Sequence, residues 1–146
     1  MEIAAVIVNW NTCDLLARLL ESLRTVRRSL ERIVVDNASE DGSAAMVAAR
    51  FPECRLIRNP RNFGYSIANN QGIRAAGPSR YLLLLNSDIQ VTPAAIDGLA
   101  EWLDSHPDVA AASPMLVYPD GRLQRFCRRF PTFLTLISEH TSIRHR

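Results

Sequence analysis

"RYLLLLNSDIQVTP", residues 80–93, sets four consecutive leucines against Asn86-Ser87-Asp88, and the chain turns apolar again directly afterwards. A short apolar run bounded by turn residues predicts a strand buried on both faces of a parallel sheet. Leu82 to Leu85 are therefore expected at the centre of that sheet. Asp88 then emerges where the strand leaves the core.

The same pattern recurs upstream. "IAAVIV" (3–8), "RIVVDN" (32–37) and "CRLIRN" (54–59) predict three further buried strands. Between them the period changes. In residues 12–26, Leu15, Leu16, Leu19, Leu20 and Leu23 fall at helical spacing behind Thr12 as the N-cap. Residues 39–51 read as a turn leading into an alanine-rich helix, and residues 64–77 as a helix with Gly77 at its C-cap. Residues 92–107 predict a helix with Thr92 at the N-cap and Pro93 at the first helical position. Residues 109–126 read as a strand, a break at Pro114 and a hairpin around Pro119-Asp120-Gly121. Strand–helix alternation with short connections implies an α/β fold with a mostly parallel sheet covered by helices on both faces. The organisation expected is one α/β domain over residues 1–119 and a basic, aromatic tail over 120–146.

Composition narrows the function classes. The net charge of +2 gives no argument for nucleic acid. Residues 1–119 hold 11 Arg against 13 Asp and Glu, whereas residues 120–146 hold 6 Arg against 2, so the basic character belongs to the tail. The chain contains no lysine, which excludes a catalytic one. Cys13, Cys54 and Cys127 form no CxxC pair, so neither a zinc site nor a disulfide framework is supported, and a reducing, cytoplasmic setting fits. Residues 3–8 are too short for the apolar region of a signal peptide, and no apolar run approaches the length of a membrane span.

Ligands of parallel α/β sheets bind beyond the carboxyl ends of the strands. Here each strand ends in polar residues: Asn9-Trp10-Asn11, Asp36-Asn37, Asn59 with Asn62, and Asn86-Ser87-Asp88. Any one of these could simply cap a turn, but all four converge on one edge. Asp36 can accept hydrogen bonds from a base N–H or a ribose hydroxyl. Asp88 is the metal candidate, since Mg²⁺ and Mn²⁺ take one or two carboxylates together with substrate phosphates. Asn86 holds the other position of that pair, so the site would be completed by a diphosphate. No GxGxxG or Walker pattern occurs; instead Gly64 opens a helix whose free N–H groups can face an anion.

"VIVNWN" (6–11), "VVDNASEDGS" (34–43), "NPRNFGYSIANNQGI" (59–73) and "YLLLLNSDIQVTPAAI" (81–96) together resemble glycosyltransferase family 2. They are most similar to its rhamnosyltransferase-like branch, whose metal motif commonly reads Asn-Pro-Asp. The resemblance covers residues 3 to about 130. It implies a Rossmann-like GT-A sheet and an inverting transfer from a nucleotide-diphosphate sugar to a saccharide or lipid-linked cell-envelope acceptor. It assigns Val8, Asn9 and Asn11 to the base and ribose, Asp36 to the base, and Asn62, Gly64 and Asn70 to the donor pocket. Asn86-Ser87-Asp88 takes the place of the family's DxD motif, with Asp88 on Mg²⁺ or Mn²⁺ and the diphosphate.

The chain departs from the family after that motif. Beyond Asp120 its single acid is Glu139, in "LISEHTS", so no general base is assigned and the acceptor half is expected to be missing. The other reading is a non-catalytic nucleotide-binding or regulatory module. In "RFCRRFPTFLTLI" (125–137), Arg125, Arg128 and Arg129 interleave with Phe126, Phe130 and Phe133. Such a segment suits either an anionic membrane surface or packing against further protein, and residues 122–137 are expected to support a homodimer.

Overall fold

The computed structural model describes residues 1–124. Met1–Ala112 form one compact unit, and the described residues from Ser113 onward belong to a second. The first unit is β1 (Ile3–Asn9), α1 (Cys13–Leu23), β2 (Leu30–Asp36), α2 (Ser43–Arg50), β3 (Arg55–Arg58), α3 (Tyr65–Ala75), β4 (Tyr81–Asn86) and α4 (Pro93–Ser105). The four strands form one parallel sheet in the order β3-β2-β1-β4. In the second unit, Val117 bridges Leu123 in antiparallel fashion around a turn at Gly121, so the expected hairpin is present. The tail expectations for residues 125–137, the homodimer through 122–137 and Glu139 lie outside the described residues, Arg122, Leu123 and Gln124 excepted.

The topology explains where the helices go. From β1 the chain steps to β2 and then β3 in one direction, then returns through α3 to the far side of β1. Right-handed crossovers put helices from opposite steps on opposite faces. Leu16, Leu19, Leu20 and Leu23 of α1, Val47 of α2, and Ile96 and Ala100 of α4 accordingly pack with Ile3, Ala5, Ile7, Val34 and Leu85. The opposite face is smaller: Val6, Val8, Ile33 and Val35 against Ala68 of α3. Gly72 permits that contact, because a Cβ there would stand 2.3 Å from Val6 Cγ1. The direction reverses at β1, so the sheet's switch point lies between β1 and β4.

Four expectations are corrected. The leucine run is not central: β4 is an outer strand among the described residues, and Leu82 and Leu84 are 52% and 49% exposed. Helix α3 sits over Val6 and Val35 and leaves β4 uncovered on that face; an apolar run alone does not distinguish a central from an outer strand. Gly77 does not cap α3. That helix ends at Ala76 in extended conformation, and the Gly77 N–H donates to Glu31 Oε2 at 2.9 Å instead. Residues 109–113 form no strand. Thr12 precedes α1 but its side chain does not cap it; Asp41 does so from a distant loop, accepting from the Cys13 N–H at 2.7 Å. Thr92 does cap α4, accepting from the Ala95 N–H, with Pro93 behind it.

Candidate functional site

All four strands end on one edge, and an open cleft of about 340 Å³ lies there at the switch point. One wall comes from the end of β1, as Val8, Trp10 and Thr12. The facing wall is Asn86, Ser87 and Asp88 after β4, and the third side is Asn37, Asn62, Gly64 and Tyr65. Asp88 is the one carboxylate among these lining residues.

Two polar networks hold the walls. In the first, Asn9 is fully buried and its Nδ2 donates to Asp36 Oδ1 at 2.9 Å and Ser39 Oγ at 3.0 Å. Asp36 Oδ2 accepts from the Ser39 N–H at 3.0 Å. Asn9 and Asp36 thus sit behind the cleft surface and tie β1 to β2. A carboxylate has about four lone-pair sites, so Asp36 keeps acceptor capacity beyond these two bonds. Asn11 adopts the left-handed region at φ 53°, and Ala38 opposite does the same at 63°. Such backbone is uncommon for residues with a Cβ and persists where surroundings over-determine it. Asn11 is fixed by its N–H to Ser39 Oγ and by its Oδ1 accepting from the Glu40 N–H.

Asn37 is the hub of the second network. Its Nδ2 donates to Asn62 Oδ1 at 3.0 Å, and its Oδ1 accepts from Asn59 Nδ2 at 2.9 Å. Asn59 in turn exchanges two amide bonds with Gln71 of α3. Asn62 Oδ1 also accepts from the Gly64 N–H at 2.8 Å. Gly64 lies at φ 82°, ψ 167°, a conformation essentially restricted to glycine. No side chain caps α3, so its first N–H groups remain available where Gly64 and Tyr65 line the cleft.

The site residues read from the sequence thus divide. Val8, Asn62, Gly64, Asn86 and Asp88 line the cleft; Asn9 and Asp36 support it; Asn11 lies beside it. Asn70 is exposed and does not line it, whereas its neighbour Asn69 is buried, with Nδ2 on the Tyr65 carbonyl and Oδ1 unpaired. Trp10, Asn37 and Ser87, read from the sequence only as strand-end residues, Thr12, read as a helix cap, and Tyr65, at the start of the helix that Gly64 opens, also line the cleft.

A metal fits only one kind of arrangement. Among the described residues, no three His, Cys, Asp or Glu side chains cluster. The exposed Asp88 carboxylate and Asn86 amide offer hard oxygen donors, a set that suits a divalent cation arriving with a diphosphate. A wider depression of about 600 Å³ lies at the opposite edge of the sheet, lined by Glu2, Arg27, Arg28, Asp97 and Asp104 among others. All but Glu101 of the charged groups lining it are paired among the described residues: Arg28 bonds Glu2 and Asp104, and Arg27 bonds Asp97. Burial alone would raise the Asp97 carboxyl, but bonds from the Arg27 side chain and the Arg27 and Arg28 amides hold it below the usual range. No helix among the described residues is long and apolar enough to cross a membrane.

Comparison with known proteins agrees with this geometry. The family described as glycosyl transferase family 2 matches residues 4–145. N-acetylglucosaminyl-diphospho-decaprenol L-rhamnosyltransferase of Mycobacterium tuberculosis is 28% identical over 130 residues, covering 82% of this chain and 42% of that protein. Succinoglycan biosynthesis protein ExoO of Rhizobium meliloti is 35% identical over 127 residues, covering 85% of this chain and 36% of that one. The chain therefore spans less than half the length of these relatives. Among solved structures, TarS 1–349 of S. aureus in complex with UDP-GlcNAc has a TM-score of 0.66 at 20% identity, covering 73% of this chain and 32% of that one. The mannosyltransferase PcManGT of Pyrobaculum calidifontis, in complex with GDP-Man and Mn²⁺, has a TM-score of 0.61 at 21% identity, covering 70% and 32%. At such identities the structural likeness establishes the fold, a Rossmann-like sheet of the GT-A type. With almost its full length matched, the chain belongs to glycosyl transferase family 2.

Proposed function

We propose that this chain is the donor-binding part of a glycosyltransferase, holding a nucleotide-diphosphate sugar for inverting transfer to a saccharide or lipid-linked cell-envelope acceptor at the cytoplasmic side of the membrane. The observation that carries this reading is the switch-point cleft, where an exposed indole, an uncapped helix N-terminus and a single carboxylate face one another. The base and ribose lie against Val8, Trp10 and Asn11, with Asp36 behind them as acceptor. The diphosphate lies between Gly64, with the α3 N–H groups, and Asn86-Ser87-Asp88.

In the transfer, the acceptor oxygen bonds the anomeric carbon while the bond from that carbon to the phosphate oxygen breaks. The electron pair leaves on the diphosphate, and the acceptor hydroxyl gives its proton to a general base. Asp88 and Asn86 would hold Mg²⁺ or Mn²⁺, which would supply positive charge to the departing diphosphate. Asp88 is committed to that role, so the base comes from residues other than those lining the cleft. That the relative from M. tuberculosis is named for a lipid-linked acceptor, and PcManGT for a Mn²⁺ complex, supports the choice of acceptor class and ion.

Calorimetric titration with a panel of nucleoside diphosphates, with and without Mn²⁺, tests the reading. Binding that tightens with Mn²⁺, and loses that gain in Asp88→Ala, is expected. Absence of binding to every nucleotide, or an Asp88→Ala protein with an unchanged response to Mn²⁺, overturns it.

A further inference from the structure

We propose that Thr12 and Ser87 are positioning residues that lock the turn carrying Asp88 to the Asn9–Asp36 side of the cleft. The proposal rests on the donor-site reading above and names what holds its lone carboxylate in place. Ser87 and Asp88 form the turn directly after β4. Asp88 and Asn86 are exposed, and neither side chain hydrogen-bonds a partner among the described residues. Ser87 is different: it is 7% exposed, and its Oγ lies 2.7 Å from Thr12 Oγ1. It is therefore the one side chain of Asn86-Ser87-Asp88 fixed by a hydrogen bond.

The direction of that bond follows from its neighbours. Asn9 Nδ2 is spent on Asp36 Oδ1 and Ser39 Oγ, which turns Asn9 Oδ1 toward Thr12. That oxygen only accepts, and Thr12 Oγ1 stands 2.6 Å away, so Thr12 gives it its single proton. The Ser87 hydroxyl must then donate to Thr12. The result is a one-way chain, Ser87 to Thr12 to Asn9 oxygen, continued by the Asn9 amide to Asp36. It spans three strand ends, β4, β1 and β2. Thr12 is available for it because Asp41, not Thr12, caps α1. The donors and acceptors are at least half buried, so water competes weakly and a missing member leaves its neighbour unsatisfied.

Thr12→Val keeps the shape and removes the hydroxyl; Thr12→Ser keeps the hydroxyl. In the full 146-residue chain, Thr12→Val is expected to reduce the Mn²⁺-dependent gain in nucleoside diphosphate affinity by about three- to tenfold, the worth of one hydrogen bond. Affinity measured without metal should fall by a smaller factor, and Thr12→Ser should restore the gain. Amide exchange read without nucleotide should quicken at Ser87 and Asp88 in Thr12→Val and in Ser87→Ala, but not within β1. Equal losses with and without metal, no rescue by serine, or unchanged exchange would each overturn the proposal. If the unaltered protein binds with a metal gain that Thr12→Val retains, the positioning role alone falls. If the unaltered protein binds no nucleoside diphosphate, the donor reading beneath it falls.

Discussion

Trp10 is where the residue scale matters most. It follows the last residue of β1, is 56% exposed, and forms a wall of the cleft. An exposed indole at a strand end has no packing role to explain it, but it offers a face on which an aromatic base can stack. Such stacking is worth about 1–3 kcal/mol per base. Trp10→Ala should therefore weaken nucleotide binding by about 5- to 150-fold, with or without metal. Its stability should change little, because more than half of the residue is in water without ligand. Equal affinity of Trp10→Ala and the unaltered protein for a nucleoside diphosphate would remove the indole from the site. Residues of this kind were half legible in the sequence. The positions Asn9, Asp36, Asn62 and Asp88 follow from polar residues after apolar runs, and Gly64 from its place at the start of a helix. What did not follow was which of them face the cleft. Asn9 and Asp36 point inward because each completes the other's hydrogen bonds across parallel strands paired Asn9 to Asp36, a register that emerges only on folding.

At the scale of elements, the loop between β2 and α2 acts as a clamp for two helices. Asp41 Oδ2 accepts from the Cys13 N–H of α1 at 2.7 Å, and Oδ1 accepts from the Ser43 N–H of α2 at 3.0 Å and from the Ser43 hydroxyl at 2.5 Å. Desolvation pushes the carboxyl up, but the Ser43 hydroxyl and the Cys13 and Ser43 amides outweigh it and hold it below the ordinary carboxylate value. A depressed folded value means that the stabilisation is complete above the unfolded carboxyl's value, near pH 4, and is lost as pH falls through the folded value. Asp41→Ala should cost about 1–2 kcal/mol near neutral pH, the scale of a lost helix cap. The deficit relative to the unaltered protein should shrink below about pH 4 in denaturant titrations. A deficit independent of pH would mean that the carboxylate charge plays no part. Helix existence and spacing were readable from leucine periodicity, and Thr92-Pro93 marked the start of α4 correctly. The cap of α1 was not, because local pattern names Thr12 while Asp41, 28 positions from Cys13, does the work. The place of β4 failed for a related reason. Four leucines specify burial on average, but whether a strand is covered depends on where α3 lands, and Gly72 settles that by docking α3 on Val6.

For the whole molecule, parallel strands impose a polarity that separates two edges of one sheet. At the amino-terminal edge, Arg28, Glu2, Asp104 and Arg80 satisfy one another, and Tyr81 donates its hydroxyl to Asp104 at 2.7 Å. At the carboxyl edge, Asp88 and the N–H groups of α3 are left without partners among the described residues, and the order β3-β2-β1-β4 opens a cleft between them. Charge that is already paired gives a ligand little to bind; unpaired groups facing one cleft from after β3 and after β4 give it much. Nucleoside diphosphate with Mn²⁺ should thus slow amide exchange in residues 9–13, 36–39, 61–67 and 86–88, one loop from each strand end. Residues 27–30 and 78–81, which enter β2 and β4 at the other edge, should exchange at the same rate with and without ligand. The contrast is set by sheet polarity rather than by any single side chain, so it should survive in Trp10→Ala at saturating nucleotide. Protection appearing first at residues 27–30 would place the ligand among the paired charges of the amino-terminal edge and break the link between strand direction and site.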